Sequence, residues 1–446
     1  MEKVLVLGAG RSATSLIAYL LDQAEKFDWQ IVVADYALQL AEEKVKQHPK
    51  GKAIAFNIND EQQRADEISR ADVVISMLPA RFHVIVAEAC LNFSKHLITA
   101  SYVSEDMKEM DEQAKEKGLL FLNECGLDPG IDHMSAKKVI DQIREKGFDL
   151  RAFESFTGGL LKPNKEEDNP WEYKFTWNPR NVVLAGQGEV KFIQEGRYKY
   201  IPYNKLFRRT ETIHIPGFGY FDGYANRDSL KYMDVYDLAG IQTLYRGTLR
   251  RPGFCKAWDV FVQLGATDDT YQMEAVGKMT HRQFINSFLS YNPHDSVELK
   301  LAHYLKLEMD GPEMHKMRWL GLFDDTLVGL QKGSPAQVLE QILKKKWTIG
   351  EDEQDQIVMW HLFDYIDNGV HKQVRSAMVA DGEDASITAM AKTVGLPLGI
   401  ATKLILQGNI KARGVQIPIT PEFYNPILEE LETLGFSFIE EEVIVD

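Results

Sequence analysis

An acid in a turn after a short apolar run is the first candidate for chemistry in this chain. Leu119–Leu122 is apolar and follows a polar helical segment, as is typical of a buried strand in a parallel sheet. Asp128-Pro129-Gly130 then predicts a turn. Because ligands of open α/β sheets bind at the carboxyl ends of the strands, Asp128 is placed for orienting a substrate or moving a proton.

Three other polar residues near Asp128 have competing interpretations. Asp132 is interpreted as the cap of a helix that begins near His133. Glu124 could serve either the chemistry or the turn. His133 could relay protons, although a histidine at a helix start is more often simply hydrogen-bonded.

A glycine-rich turn at the chain start predicts a dinucleotide site. The run Lys3–Leu7 is apolar and ends in Gly8-Ala9-Gly10-Arg11-Ser12-Ala13, and a helical segment follows from Ser12 to about Lys26. This is the Gly-x-Gly-x-x-Ala fingerprint in its strand-turn-helix context. Gly8 permits the tight turn, Gly10 lets the pyrophosphate approach the backbone, and Ala13 keeps helix and strand close. The helix N-terminus supplies amide donors for the phosphates.

An acid at the end of the second apolar run bears on the choice of dinucleotide. Gln30–Ala34 ends in Asp35, whose carboxylate could accept both ribose hydroxyls of NAD and would repel the 2′-phosphate of NADP. The residues therefore favour NAD over NADP. Two alternatives stay open: Asp35 could cap a helix over Leu38–Gln47, and Arg11 could serve a phosphate.

Alternating strand and helix patterns continue as far as Asp132 and predict an α/β fold, a Rossmann doubly wound parallel sheet of six strands with five helices between them. The later strands are predicted over Ala53–Ile58, Asp72–Met77, His96–Ala100 and from Leu119. Their carboxyl ends carry Phe56-Asn57, Ser76–Pro79 and Thr99–Tyr102.

The rest of the chain predicts an α/β substrate domain with a mixed sheet, then a mainly helical region. We place boundaries at residues 1–132, 133–267, 268–346 and 347–446, the last being a return segment that packs on the earlier domains. A charged loop is predicted over Lys162–Asn169. Two stretches, Asn226–Ser229 and Arg246–Arg251, bring basic residues together in an otherwise acidic chain.

The composition argues against several classes of binding partner. The 446 residues are 44% hydrophobic and 26% charged with a formal net charge of −15, which argues against nucleic acid or an anionic membrane as partner. We find no signal peptide and no apolar window long enough to cross a bilayer. Cys90, Cys125 and Cys255 form no disulfide framework, so a cytoplasmic location is expected. The histidines lack metal-ligand spacing, so no metal site is predicted.

Taken together, these motifs resemble the saccharopine dehydrogenases of the L-glutamate-forming type over almost the whole chain. The resemblance rests on Leu7–Gly10, Ile98–Tyr102, Asn123–His133, Gly158-Gly159, Asp168–Pro170, Tyr173–Trp177, Gly223–Ser229, Arg246–Arg250 and Thr393–Pro397. It implies NAD(P)-dependent oxidation of saccharopine to L-glutamate and 2-aminoadipate 6-semialdehyde, or the reverse reductive condensation, by a homodimer.

The resemblance also implies which residues meet each ligand. The implied cofactor contacts are Gly8, Ala9, Gly10, Arg11, Asp35, Phe56, Asn57, Met77, Thr99, Ala100, Ser101, Leu127 and Trp177. The implied substrate contacts are Ser101, Tyr102, Asp128, Arg227, Thr248, Leu249 and Arg250.

Two departures from the family pattern stand out. Members that use NADP carry a basic residue just past the second strand, where this chain has Asp35-Tyr36. Many members carry a cysteine before the double glycine, where this chain has Thr157, so a thiol has no role at that position here.

The chemistry of saccharopine assigns roles to these groups. Three carboxylates need fixed cations, and Arg227 and Arg250 are the expected clamps. Asp128 and Tyr102 are expected to orient the amine or water and to share the proton transfers. Two alternatives remain: a related imine reductase, such as one acting on carboxynorspermidine, and a catalytically silent NAD-binding regulator.

Overall fold

The computed structural model describes residues 1–164 and 168–445. The chain forms two compact units, and each is described by itself. The first unit contains residues 1–148 and 378–439, and the second contains residues 149–377 and the chain end from residue 440. The charged loop predicted over Lys162–Asn169 lies partly outside the described residues. The domain boundaries given above stay predictions.

The N-terminal part of the first unit alternates strands and helices. Its elements are β1 (Lys3–Leu7), α1 (Thr14–Phe27), β2 (Gln30–Asp35), α2 (Leu38–Val45), β3 (Gly51–Ala55), α3 (Glu61–Ser69), β4 (Val73–Ser76), α4 (His83–Phe93), β5 (His96–Thr99), α5 (Glu105–Lys108), α6 (Asp111–Glu116), β6 (Leu120–Leu122) and α7 (Ile131–Glu145).

The second unit is built on longer strands. Its elements are β7 (Asp149–Leu161), α8 (Pro179–Val183), β8 (Lys191–Gln194), β9 (Arg197–Tyr200), α9 (Tyr203–Leu206), β10 (Thr210–Ile215), β11 (Gly219–Ala225), α10 (Tyr232–Val235), β12 (Thr243–Arg250), α11 (Phe254–Leu264), α12 (His281–Asn286), α13 (Val297–Leu305), α14 (Pro312–Trp319), α15 (Pro335–Trp347), β13 (Asp355–Asp367) and most of β14 (Val370–Asp381).

The remaining elements are α16 (Ala389–Leu406), β15 (Gly414–Gln416), α17 (Pro421–Thr433) and β16 (Ile439–Ile444). Of these, α16, β15 and α17 belong to the first unit. β15 pairs in parallel with β6, and Gly395 of α16 packs against the backbone of Leu16 in α1. The tail therefore completes the first unit.

The sheet of the first unit is parallel throughout the described residues. Its strand order is β15-β6-β5-β4-β1-β2-β3, so the six predicted strands and the doubly wound architecture are confirmed, with one strand added by the tail. The β1 and β4 strands are wholly buried except for Lys3, as expected for central strands covered by helices on both faces.

The sheet of the second unit has nine strands and is mixed, as predicted. Its main order is β10-β11-β12-β7-β13-β14-β16, with β8 and β9 attached beside β12. β12 runs parallel to β7, whereas β11 and β13 run antiparallel to their neighbours. This register sets Thr248 beside Thr157 and Arg250 beside Asp222.

Two sequence predictions are corrected here. Helix α7 begins at Ile131, and its N-cap is Gly130 rather than Asp132. A side chain at Gly130, whose φ is +148°, would overlap the backbone of Gly126, so only glycine fits. Asp132 instead accepts a hydrogen bond from the Gly130 amide at 2.6 Å.

The other correction concerns apolar length. Among the described residues, one helix, α16, has the length and composition to cross a membrane. In the structure 67% of that span is buried, which is how the core helix of a folded domain passes the same test.

Candidate active site

The fingerprint turn after β1 fits a dinucleotide pyrophosphate. Gly8 has φ +103°, and a Cβ there would lie 3.0 Å from the backbone oxygen of Met77. At Gly10 a Cβ would meet nothing within 4 Å, so the missing side chain leaves open space beside the turn. A short 3₁₀ turn at Arg11–Ala13 then leads into α1. The backbone can thus be approached closely where helix amides begin.

Asp35, at the end of β2, is tied to this turn. Its Oδ2 accepts from the amide of Ala9 at 2.7 Å, and its Oδ1 accepts from the amide of Ala37 at 2.9 Å. The carboxylate therefore helps to shape the fingerprint turn and does not act as the side-chain cap of α2, whose N-cap is Ala37. The carboxylate is partly exposed at the carboxyl edge of the sheet.

The structure brings most predicted cofactor residues to one edge of the first sheet. Parallel strands end together, so residues that end or follow β1 to β6 share the carboxyl edge of the sheet, which is called the cofactor edge here. The members of this group are Gly8, Ala9, Gly10, Arg11, Asp35, Phe56, Asn57, Met77, Thr99, Ala100, Ser101 and Leu127. Trp177 belongs to the second unit.

The two predicted catalytic side chains meet at the same edge. The Tyr102 hydroxyl donates to Oδ1 of Asp128 at 3.1 Å. Tyr102 follows β5, and Asp128 lies in the loop between β6 and α7. A phenol on a carboxylate can exchange a proton along the hydrogen bond, so the pair has the parts that a proton transfer needs.

Glu124 holds the loop that carries Tyr102. Its amide donates to the Ser101 carbonyl at 3.1 Å, and its Oε1 accepts from the Val103 amide at 3.0 Å. Its Oε2 lies 2.7 Å from Nε2 of the fully buried His133. Glu124 also has φ +54°, a conformation that costs a non-glycine residue about 1 kcal/mol or more. Through these contacts Glu124 and His133 help to hold the loop that carries Tyr102.

In the second unit, Arg250 is a buried cation in aromatic surroundings. The residue is 5% exposed, and its guanidinium carbon lies 5.2, 5.8 and 5.4 Å from the ring centroids of Tyr173, Tyr224 and Phe254. One terminal nitrogen donates to the Leu249 carbonyl at 2.9 Å, whereas Nε has no hydrogen-bond partner among the described residues. Burial raises the pKa of Tyr173 to about 12, so this ring stays neutral.

No carboxylate of the described residues forms a salt bridge with Arg250. Taking a guanidinium out of water costs several kcal/mol, which aromatic faces offset only in part. A buried cation of this kind is the arrangement that an anionic ligand completes.

Strand alternation sorts the neighbouring residues of β12. Thr248 and Arg250 lie on one face, together with Thr157 of the adjacent β7, whereas the Leu249 side chain lies on the opposite face against Gly158. The buried Thr157 hydroxyl has no hydrogen-bond partner among the described residues. Arg227, in the loop after β11, has φ +56°. Of the predicted substrate residues in this unit, Thr248 and Arg250 thus share a face.

One polar residue at the cofactor edge was not predicted from the sequence. His83, at the start of α4, lies with Nδ1 2.9 Å from the Ser76 hydroxyl and Nε2 2.7 Å from the Ser101 hydroxyl. Burial lowers the pKa of His83 to about 4. A signal did exist, since Ser76 ends one apolar strand and Ser101 follows another, but nothing local pairs them with a histidine.

Two family models cover nearly all of this chain. Residues 4–122 match the saccharopine dehydrogenase NADP binding domain, and residues 126–436 match the saccharopine dehydrogenase C-terminal domain. The chain belongs to the saccharopine dehydrogenase family. The resemblance read from the motifs is therefore confirmed.

Individual members of the family align along the full chain. A saccharopine dehydrogenase [NADP(+), L-glutamate-forming] of Schizosaccharomyces pombe is 33% identical and covers 100% of this chain and 99% of its own length. The mitochondrial alpha-aminoadipic semialdehyde synthase of Rattus norvegicus is 32% identical over 98% of this chain, which spans 47% of that protein. The apo saccharopine dehydrogenase (L-Glu forming) of Saccharomyces cerevisiae superposes with a TM-score of 0.90 at 30% identity, over 99% of this chain and 100% of that one.

These relatives bear on the cofactor. The matched N-terminal family model is an NADP binding domain, and the S. pombe relative is named for NADP(+). Binding of a nicotinamide dinucleotide fits the site, but the preference for NAD inferred from Asp35 finds no support in the family.

Proposed function

We propose that this protein catalyses the NAD(P)-dependent oxidation of saccharopine to L-glutamate and 2-aminoadipate 6-semialdehyde, or the reverse reductive condensation. The observation that carries the proposal is the buried Arg250 guanidinium, which forms no salt bridge with a carboxylate of residues 1–164 and 168–445, while the chain as a whole has a net charge of −15. A cation of this kind suits a substrate with carboxylates.

Saccharopine offers three carboxylates around a secondary amine. A guanidinium binds a carboxylate through two parallel hydrogen bonds, and in a buried site each charged bond is worth about 1.5–3 kcal/mol. Arg250, whose Nε has no hydrogen-bond partner in the described part of the chain, is assigned to one carboxylate, and Arg227 is assigned to another. Thr248 shares the face of Arg250 and is assigned to the same end of the substrate.

A bound dinucleotide would supply the hydride acceptor for oxidation of the carbon beside the secondary nitrogen. Water then adds to the resulting imine of the substrate, and the carbinolamine breaks at its carbon–nitrogen bond to give the aldehyde and the amine of glutamate. Asp128 is assigned to hold the attacking water and take its proton, because its carboxylate is the acceptor at the cofactor edge. Tyr102 is assigned to share that proton through its hydrogen bond.

The proposal is tested by following reduced dinucleotide from saccharopine with NAD⁺ and with NADP⁺, at neutral to alkaline pH. Turnover of saccharopine with release of L-glutamate supports it. A preference for carboxynorspermidine in the same panel would establish the related imine reductase instead. Tight dinucleotide binding with no turnover of any substrate would favour the silent regulator.

The nucleotide preference belongs to the same assay. The family names favour NADP, whereas the Asp35 carboxylate, which is anchored to the fingerprint turn, would repel a 2′-phosphate bound beside it. The ratio of kcat/KM for NADP⁺ and NAD⁺ decides between them.

We also propose a homodimer in the cytoplasm that needs no nucleic acid, membrane or metal. The three cysteines are buried and unpaired, which suits a reducing compartment. Sedimentation equilibrium measures the oligomeric state, and a monomer at micromolar concentration would contradict the dimer.

A further inference from the structure

We propose that His83 is a positioning residue that fixes the Ser101 hydroxyl, and with it the start of the Ser101–Val103 loop, for the reaction. This inference rests on the proposed function. Both ring nitrogens of His83 meet hydroxyl groups at hydrogen-bond distance: Ser76 at 2.9 Å on Nδ1 and Ser101 at 2.7 Å on Nε2. The Thr99 hydroxyl lies 3.3 Å from Nε2.

The site is built into the fold and lies away from open solvent. His83 is 5% exposed, Ser76 is 1% exposed and Thr99 is 1% exposed. Ser76 ends β4 and Thr99 ends the adjacent β5, so one imidazole at the start of α4 links two neighbouring strand ends. Because buried polar groups are costly when unpaired, the three hydroxyls hold the ring in one place.

The protonation state of His83 requires its two ring nitrogens to play different hydrogen-bonding roles. Burial lowers the pKa of His83 to about 4, so the ring is neutral at assay pH and has one N–H donor and one acceptor nitrogen. One serine hydroxyl therefore accepts from the ring while the other donates to it. In either tautomer the Ser101 oxygen is held, and its remaining hydrogen-bonding capacity faces away from His83.

Ser101 belongs both to the predicted cofactor contacts and to the predicted substrate contacts. It follows β5 at the cofactor edge and directly precedes Tyr102, whose hydroxyl bonds Asp128. Its carbonyl accepts from the Glu124 amide at 3.1 Å. The residue is thus fixed through its side chain by His83 and through its backbone by Glu124. If the His83 contact is lost, the Ser101 side chain becomes free to change rotamer while the backbone stays in place.

A matched pair of variants isolates the contact. The amide of His83→Gln reaches the position of Nε2 and can still bond Ser101, whereas the amide of His83→Asn reaches the position of Nδ1 and bonds only Ser76. We expect His83→Asn to lower kcat/KM for saccharopine about tenfold, the value of one hydrogen bond, and His83→Gln to keep most of it. Equal losses in the two variants would overturn the inference.

A second background separates positioning from general stability. In Ser101→Ala the hydroxyl is gone, so adding His83→Asn should cause no further loss of kcat/KM. An independent loss in that background would mean that His83 acts through the fold alone, and would overturn the inference. Thermal melting of each variant accompanies the kinetics.

Ser76→Ala keeps the imidazole and serves if His83→Asn does not fold. It frees Nδ1, and we expect a loss of about threefold that disappears in the Ser101→Ala background. The same loss with and without the Ser101 hydroxyl would contradict positioning. If the wild-type protein turns over no saccharopine, the proposed function is wrong, but the role of His83 can still be tested. Fluorescence titration then measures whether His83→Asn lowers the affinity for the dinucleotide while His83→Gln does not.

Discussion

The Tyr102 hydroxyl donates a hydrogen bond to Oδ1 of Asp128 across 3.1 Å, although the two residues lie in loops that follow different strands. The strands are neighbours in the parallel sheet, so their carboxyl ends bring the loops together. This hydrogen-bonded phenol and carboxylate are the pair to which the proposed proton transfer is assigned.

Replacing either member of this pair should slow turnover by different amounts. Asp128→Asn removes the proton acceptor, and we expect kcat to fall about 100-fold or more, the range of general acid–base catalysis. Tyr102→Phe removes one hydrogen bond, and a loss of about tenfold is expected. Steady-state kinetics with saccharopine measure both. A normal kcat in Asp128→Asn would remove that residue from the chemistry.

Glu124 is expected to act through Tyr102. Glu124→Ala deprives the Val103 amide and His133 of their acceptor, which should cost stability on the order of 2–4 kcal/mol and lower kcat. Glu124→Gln keeps an acceptor and should lose less of both. Kinetics and melting of the two variants are compared in wild-type and Tyr102→Phe backgrounds. Independent kcat losses in the two backgrounds would show that Glu124 does not act on Tyr102.

The buried guanidinium of the second unit should control the affinity for saccharopine. Arg250→Gln is expected to raise KM for saccharopine about 100-fold while KM for the dinucleotide changes little, because a charged double hydrogen bond is lost. Arg250→Lys should fall between, and Arg227→Ala should act in the same direction. As a control, Arg208→Gln changes an arginine whose side chain is 56% exposed and pairs with Asp259. Unchanged saccharopine KM in Arg250→Gln would refute the clamp.

Asp35 should lower kcat/KM for NADP⁺ relative to NAD⁺, whichever nucleotide the wild type prefers. Asp35→Asn removes a charge but keeps one acceptor for the Ala9 amide, so the ratio of kcat/KM for NADP⁺ over NAD⁺ should rise about tenfold. Asp60→Asn is the matched control, because Asp60 also follows a strand but caps α3. A ratio that does not move in Asp35→Asn would place the 2′-hydroxyl away from this carboxylate.

Glu154 should make the second unit less stable as pH rises. Burial, with the nearby carboxylates of Glu211 and Asp364, raises the pKa of Glu154 to about 7 from its usual 4.5. The folded state therefore binds the proton more tightly than the unfolded state. The stabilisation is fully present below about pH 4.5 and is lost as pH rises through 7.

Glu154→Gln should remove this dependence. The difference in unfolding free energy between the variant and wild type should grow by about 2–3 kcal/mol in favour of the variant as pH rises from 5 to 8. Thermal melting across that range measures the gain, and Glu274→Gln, at an exposed position, is the control. A constant difference across the range would show that Glu154 does not titrate there.

The sequence determined the parallel sheet and most of its ligand edge. Apolar strands, glycines and strand-end polar residues are local patterns, so the positions of Gly8, Asp35 and Asp128 could be predicted from neighbours along the chain. The family motifs added Arg250 and Tyr102. Local patterns also suggested an N-cap at Asp132, but the close packing of Gly130 against Gly126 moved the helix start.

Only the tertiary structure decided what holds these groups in place. His83 meets Ser76 and Ser101 because two strands distant in sequence end side by side, and β15 joins β6 from nearly 300 residues away. The aromatic surroundings of Arg250 are likewise assembled from separate elements. Contacts of this kind depend on burial and on strand order, which pair residues through space, and no local sequence pattern encodes them.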